Sequence, residues 1–569
     1  MNRRCFLQVG LITGISSPFL AAESGQTEAH RGLEGADPTG VSDSKTPFLN
    51  VIAALPQRGG RLSIPRGIYR FKETNGALFK IEGAIDFQVD GNGSTFLFEG
   101  NTRPFEIKNC QEVVIKNLII DWSRPPFSQG TVVAAGAQWI EVKVDPVFPV
   151  TGKEQIEAIG EYDRATGIMS VDGLDLYGHV HSVKLIGPQE LRINLTLPNK
   201  LQPGAMVVLR HRVYGVDVLD FASCKNVRVE DVNLHAAPGM GIVARSCTGV
   251  AIHRLQVVPT PGTNRIMSLC ADATHLTDCQ GKLEILDCTF QGMGDDAINI
   301  CSTFWRITNV VDDKTWRVEG RNSHIPKSWQ LPTPGTELQL CDPKSLRVLG
   351  IATVSQSASN SEGAMITISE TAHVPEGTLV CDSQNKTTSL IANCNFKGNR
   401  ARAVIAHSNT TITNNSFYGQ SLAAILLAVD GWWMEGPVVQ NVEISGNSFA
   451  HNYTGQCALR RGAITVDTAH DPTAPPTPED PVNKLVCVYN NIFHESYGEA
   501  VYINRTSEVS IIRNSFDASS LLLSQDSPKI GVFVANAEPP LLAANVIVDR
   551  EILICPAGEI TSGLSQGKR

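Results

Sequence analysis

The stretch "NVEISGNSF" at residues 441–449 returns as "LVCVYNNIF" at 485–493 and as "EVSIIRNSF" at 508–516. The same phrase, a short β-branched run closing on an aromatic or large aliphatic residue, occurs earlier. It is found in "EVVIKNLII" ending at Ile120, "NVRVEDVNL" at Leu234, "GVAIHRLQV" at Val257, "KLEILDCTF" at Phe290, "SLIANCNF" at Phe396 and "TTITNNSF" at Phe417. Final residues lie 23 apart from Leu234 to Val257, 21 from Phe396 to Phe417 and 23 from Phe493 to Phe516. Gaps of 33, 32 and 44 read as one turn plus a loop, or two turns with one weakly marked. Short strands recurring at one coil's length are what a parallel β-helix needs, each coil stacked ~4.8 Å from the last. Val, Ile and Phe in register then form ladders inside the helix. The repeated Asn414, Asn415, Asn447, Asn490, Asn491 and Asn514 tolerate the bends and hydrogen-bond along the stack.

Two stretches break the rhythm. Residues 123–220 and 302–385 lack the coil phrase but keep strand-like alternation, as in "WIEVKVDPV" and "GAMITISET", and each is long enough for a small inserted β-barrel or sandwich. The expected fold class is therefore all-β: a right-handed parallel β-helix with two inserted β domains. Residues 23–122 hold the cap and first coils, 221–301 the next coils, and 386–569 the C-terminal coils. The segment from Gly35 to Phe71 resembles the opening of pectinase-type β-helix proteins, where a short helix and strand cover the first coil and hide a bare sheet edge.

Composition narrows the partners. A net charge of −9, with no Lys/Arg cluster, argues against nucleic acid. Residues 1–22 combine Arg3 and Arg4 with a mild apolar run from Val9 to about Leu20, which reads as a twin-arginine-like export signal. That run is too short and too rich in Gly and Ser to span a bilayer, so export to the periplasm or exterior is expected, without membrane insertion. Thirteen of the fourteen cysteines follow the signal, an odd number without CxxC pairs. They read as small buried hydrophobes, and neither a disulfide framework nor a metal or other cofactor is expected.

The acids fall on the coils. Six residues after each closing aromatic or aliphatic position a second strand begins, at Asp296, Arg402 and Glu499, and Asp272 precedes Asp296 by 24, one coil. The register sets Asp272, Asp296, Arg402 and Glu499 in one column, with His275, Asn299 and Tyr502 on the outward strand face. Strict alternation from Ile298 and Ile300 would bury Asp296, so the column is expected at the bend, turned toward a surface groove. The nearby "GWWMEG" contributes Trp432, Trp433 and Glu435, and Arg461 lies further along. Trp faces stack on pyranose rings, while carboxylates, Arg and Asn hold hydroxyls. Asp272, Asp295 and Asp296 are the candidate catalytic residues. His275, Asn299, Arg402, Trp432, Trp433, Glu435, Arg461, Glu499 and Tyr502 are the candidate sugar contacts. Singly, "GDD" is a common turn and His275 an ordinary structural histidine; three acids on adjacent coils are costly unless solvated or used.

Clustered acids point to glycoside hydrolysis, with one carboxyl protonated beside the leaving oxygen and another activating water. The motifs "ADATHLTDCQG" (271–281), "GMGDDAINI" (292–300) and "NRARAVIAHSN" (399–409) resemble glycoside hydrolase family 110. The resemblance implies an inverting α-1,3-galactosidase that removes terminal α-linked galactose from a glycan, on a β-helix with inserted barrels. A similar three-Asp layout in polygalacturonases implies Asp295 as the acid, with Asp272 and Asp296 positioning and deprotonating water. One position departs: where the family continues "DDAINVHG", this chain has Cys301, and a changed sugar preference would show there. Two other classes stay open. A β-helix lyase would use the acids for Ca²⁺ and Arg402 as its base, and an adhesin-like β-helix would bind sugar without cleaving it. A homodimer, in which an inserted domain completes a neighbour's pocket, also stays open.

Overall fold

The structure is a computed structural model that describes residues 33–196, 200–320, 331–360, 363–455, 462–469, 481–495, 497–517, 530–535, 540–547 and 551–555. The export-signal residues 1–22 and Arg461 lie outside these.

The closing residues of the repeat stack as read. Phe290 pairs with Phe396, then Phe417, Phe449, Phe493 and Phe516 follow in parallel register. Their rings stack with nearly parallel planes, with centroids 5.1, 4.8, 4.8, 4.7 and 5.0 Å apart. That spacing is the strand repeat itself, so the side chains follow the backbone without tilting. Beside them runs a buried amide ladder. The side chain of Asn415 donates to Asn447 Oδ1, Asn447 to Asn491, Asn491 to Asn514 and Asn514 to Asn545, at 3.0–3.2 Å. Each amide carbonyl also accepts the backbone N–H of the preceding ladder residue, so Asn415, Asn447, Asn491 and Asn514 are buried without an unmet group. Asn414 and Asn490 do the other job: both take the left-handed conformation that turns the chain, with φ of 56° and 55°.

The β-helix carries two long parallel sheets, of 22 and 13 strands among the described residues. The second sheet holds, in order, Leu219–Ala222, Ile242–Arg245, Thr274–Thr277, Ile298–Thr303, Val404–Ile405, Ile425–Asp430, Ile464–Ala469 and Val501–Asn504. At the N-terminal end the helix Lys45–Ala54 lays Phe48 edge-on against Tyr69, Phe71 and Phe96.

Between the coils the chain makes two excursions of antiparallel strands. The first runs from Phe127 to Arg210 as an open seven-stranded sheet, with Asp175–Tyr177 at one edge and Val180–Gly187 at the other. The second closes: Trp305–Asp312, Thr315–Glu319, Gly363–Ile368, Val348–Asn360, Glu337–Cys341 and Leu379–Asp382 form a six-stranded barrel. Trp305, Ile307, Trp316 and Ile366 fill it. Of the eleven cysteines whose side chains are described, ten are buried thiols, Cys487 is half-buried, and none is bridged. No described helix is long and apolar enough to cross a membrane.

Candidate active site

The second parallel sheet sets the acids. Thr274 pairs with Ile298 and Ile298 with Val404, so the positions two residues earlier, Asp272, Asp296 and Arg402, share a column. All three precede their strands at a bend, where the backbone still bonds coil to coil: Ala273 N–H to Asp296 O, and Ala297 N–H to Arg402 O. Asp295, one residue outside the column, projects from the same bend. Its neighbour Gly294 has no room for a side chain, since a Cβ there would lie 2.4 Å from Cys270 O and 2.8 Å from Arg210 Nη1. That explains the glycine in "GMGDD".

The acids are not on an open surface. Asp272, Asp295 and Asp296 are 4%, 7% and 5% exposed, and one oxygen of each lies within 4.8 Å of the others. The expectation of a solvated bend therefore needs correction: the first inserted sheet covers the column, and each acid is buried with its own partners. Tyr214, in the segment leading out of that sheet, donates its hydroxyl to Asp295 Oδ2 at 2.6 Å. Arg400 reaches Asp295 Oδ1 at 3.4 Å while its Nη2 holds Asp175 at 2.6 Å. The guanidinium groups of Arg400 and Arg210 both lie 4.5 Å from the centroid of the Tyr177 ring. Arg210 also donates to the carbonyls of Cys270 at 3.0 Å and Gly294 at 2.7 Å, fixing the backbone just before two of the acids.

Asp272 Oδ2 accepts from His275 Nδ1 at 2.8 Å, and its Oδ1 lies 3.2 Å from the backbone N–H of Asp296. Asp296 accepts the backbone N–H of Arg402 at 2.8 Å and faces the Arg402 guanidinium at 3.7 Å. Burial drives the proton affinities. Removal from water pushes Asp272 well above the usual carboxylate range, and the Asp295 charge adds to it. Burial likewise lifts Asp296 to about 7, against the pull of Arg402. Burial of the Tyr214 hydroxyl end raises its phenol, and Asp295 adds to the rise, although the residue as a whole is 54% exposed. Three carboxylates this close cannot all ionise freely, so the trio retains a proton near neutral pH.

Glu435 enters from the Trp432–Trp433 turn, whose backbone N–H groups bond Asp430. The strand Glu435–Gly436 pairs antiparallel with Ser302 and Thr303, which brings Glu435 to the Asn299 amide at 3.4 Å. Burial lifts Glu435 to about 7. Trp432 and Trp433 are both partly exposed.

The candidate sugar contacts thus divide. His275, Asn299, Arg402 and Glu435 gather around the trio. Glu499 and Tyr502 keep the expected register but not the proximity. From Arg402 the column passes through Ala423 and Gly462 before Glu499, and from Asn299 to Tyr502 it passes Ile405, Leu426 and Thr465. Three and four strand steps of ~4.8 Å set them roughly 14 and 19 Å away, too far to share one small ligand with the acids. Sequence reasoning missed Tyr214, Tyr177, Asp175, Arg210 and Arg400. Only Arg400, inside the motif "NRARAV", carried a signal.

Fold and site together define a parallel β-helix whose inserted sheet roofs a buried carboxylate trio, a class equipped for acid–base chemistry. Within that class the chain is similar to proteins named α-1,3-galactosidase. It is 28% identical over 467 residues to "Alpha-1,3-galactosidase B" of Akkermansia muciniphila, covering 75% of this chain and 58% of that protein. It is 24% identical over 566 residues to "Alpha-1,3-galactosidase A" of Shewanella woodyi, covering 91% of both. Among solved structures, an exopolygalacturonase from Thermotoga maritima overlaps 90% of both chains at 12% identity and a TM-score of 0.38. No protein-family profile matches the chain.

Proposed function

We propose that this protein is an exo-acting glycoside hydrolase that removes terminal α-1,3-linked galactose from glycans. The observation that carries the reading is the trio, three buried carboxyl groups within 4.8 Å, each with a different partner. Similarity to proteins named α-1,3-galactosidase supports the substrate. The Arg3–Arg4 opening supports export to meet an extracellular glycan.

In the mechanism Asp295 protonates the departing glycosidic oxygen. Tyr214 and Arg400 stabilise the carboxylate that remains, so their bonds strengthen as the proton leaves, the differential binding a catalyst needs. Asp272 and Asp296, drawn up by burial, take a proton from water that attacks the anomeric carbon from the other face. The sugar oxygen keeps the Asp295 proton, the water oxygen stays on galactose, and the water proton rests on the Asp272–Asp296 pair. It then returns to Asp295 within the trio, and the site is ready again. This course inverts the anomeric centre.

One measurement on the site favours a second course. Inverting acid and base groups usually stand about 6.5–9.5 Å apart, and retaining pairs about 5–5.5 Å. The nearest oxygens of the trio are closer than either range, which leans toward retention with one Asp as nucleophile. Water held by two adjacent carboxylates, rather than between two opposed ones, is what reconciles the tight trio with inversion.

The test is a panel of disaccharides with terminal α-galactose, α-glucose and α-N-acetylgalactosamine, run with the parent, Asp295→Asn and Asp296→Asn. Galactose release from α-1,3-galactobiose by the parent, with turnover in both variants lower by about 10²–10⁴-fold, supports the reading. Equal turnover in parent and variants would sink the trio's role. Inactivity on every α-galactoside would sink the substrate.

A further inference from the structure

Next to the trio lies a second cluster that the hydrolytic chemistry does not use. His275, Cys301 and Glu435 each offer one donor atom within 4.8 Å of the other two. They come from three different segments: the strand Thr274–Thr277, its parallel neighbour Ile298–Thr303, and the antiparallel strand Glu435–Gly436. Parallel register sets His275 opposite Asn299, and the side chains of His275 and Cys301 converge with Nε2 and Sγ 3.8 Å apart. The antiparallel pairing of Glu435 with Thr303 delivers the third donor.

We propose that His275, Cys301 and Glu435 form a binding site for a borderline-soft divalent cation of the Zn²⁺ type. Three observations carry this. Zn–S and Zn–N bonds of about 2.3 and 2.0–2.1 Å at a tetrahedral angle place S and N about 3.5–3.6 Å apart. The 3.8 Å between Cys301 Sγ and His275 Nε2 needs almost no adjustment. Second, the histidine is already oriented. Its Nδ1 bonds Asp272 Oδ2 at 2.8 Å, which leaves Nε2 facing the thiol and carboxylate. A carboxylate behind the far nitrogen is the arrangement that fixes the tautomer of metal-ligating histidines. Third, Asn299 donates its amide to Glu435, and its Oδ1, buried in the same cluster, has no hydrogen-bond partner among the described residues.

The donor set selects the ion. Thiolate plus imidazole favours Zn²⁺, Co²⁺ or Ni²⁺ over Mg²⁺ and Ca²⁺, which prefer oxygen. Three protein donors leave a fourth position open, and the partial exposure of His275 and Glu435 gives the ion an entry path. His275, Glu435 and Asn299 also face the proposed sugar pocket, so an ion there competes with substrate and ties His275, and through it Asp272, to the metal. The site is inhibitory in this reading, and its existence does not depend on the identity of the sugar.

Cobalt titration of the intact protein tests it. Thiolate-to-cobalt charge-transfer absorption should grow to one equivalent per chain and be displaced by Zn²⁺ but not by Mg²⁺ or Ca²⁺. It should vanish in Cys301→Ala, and Asp272→Asn should weaken binding by about 10–100-fold. Should Cys301→Ala fail to fold, Glu435→Gln serves, with affinity lower by at least about tenfold. Absent absorption, or absorption that survives Cys301→Ala unchanged, overturns the site. Where galactoside hydrolysis is measurable, Zn²⁺ should raise the apparent KM and EDTA should restore it.

Discussion

Tyr214→Phe separates the hydrogen bond to Asp295 from everything else the residue does. The ring stays, and only the hydroxyl that donates at 2.6 Å to Asp295 Oδ2 is removed. A hydrogen bond to a charged group contributes roughly 1.5–3 kcal/mol. In the proposed mechanism that bond strengthens as Asp295 gives up its proton, so the loss appears in the transition state. At about 1.36 kcal/mol per tenfold, kcat/KM should fall about 10- to 150-fold on α-1,3-galactobiose. The assay pairs that substrate with an aryl α-galactoside whose leaving group needs little protonation. A large loss on the disaccharide and a much smaller one on the aryl galactoside mark Tyr214 as supporting the acid. Thermal denaturation of the variant should show at most a modest loss, that of the one hydrogen bond to the buried Asp295. An unchanged kcat/KM on the disaccharide, or equal losses on both substrates, would refute the assignment of Asp295 as proton donor.

Other outcomes follow from the same geometry. In this mechanism the Asp272–Asp296 pair takes a proton from water, and burial holds Asp296 near 7 with Asp272 well above the usual range, so log kcat/KM should rise as pH climbs toward about 7 and the pair becomes free to act. A flat profile between about pH 5 and 7 would contradict the pair as base. Phe449→Ala opens a gap between Phe417 and Phe493 in the stacked ladder and should cost about 3–5 kcal/mol in urea unfolding. Asp278, outside the trio, is lifted by burial to about 7 from 3.8, so between those values the folded chain binds more protons than the unfolded one. Its contribution to stability therefore falls as pH rises through that window. Asp278→Asn, at a position with φ of 53°, should gain on the order of 1–2 kcal/mol over the parent between pH 5 and 8, discounted for partial exposure. A constant difference across that range would show the shift is absent.

What was legible in the sequence was whatever the repeat controls. Coil arithmetic put Asp272, Asp296 and Arg402 in one column because parallel register propagates residue by residue, and a phenylalanine at the end of each phrase from Phe290 onward marks that register. The same arithmetic misjudged Glu499 and Tyr502. Register gives direction along the sheet and not distance, and the coils bearing Ala423 and Gly462 stand between Arg402 and Glu499. The roof was invisible for a different reason. Tyr177, Arg210 and Tyr214 belong to a segment with no coil phrase, and their approach to Asp295 depends on how an antiparallel sheet docks on the helix. Local patterning does not encode that. Glu435 was proposed from its neighbours Trp432 and Trp433, whereas its partnership with Asn299 comes from an antiparallel pairing to Thr303 that no periodicity announces. The burial of the acids was the largest surprise in energetic terms. Strict alternation pointed Asp296 inward, and the cost of an unpaired buried carboxylate argued for a solvated bend; the protein instead buries the acids and surrounds them with Tyr214, Arg400, His275 and Arg402.

The most direct measurement is proton NMR of the galactose first released from α-1,3-galactobiose, with Asp296→Asn alongside. The account predicts β-galactose appearing first and slowly equilibrating with the α anomer, and almost none from the variant. First-formed α-galactose would contradict inversion and support the retaining course that the tight trio suggests. Galactose released equally by parent and variant would contradict the central claim, that Asp272, Asp295 and Asp296 perform the hydrolysis.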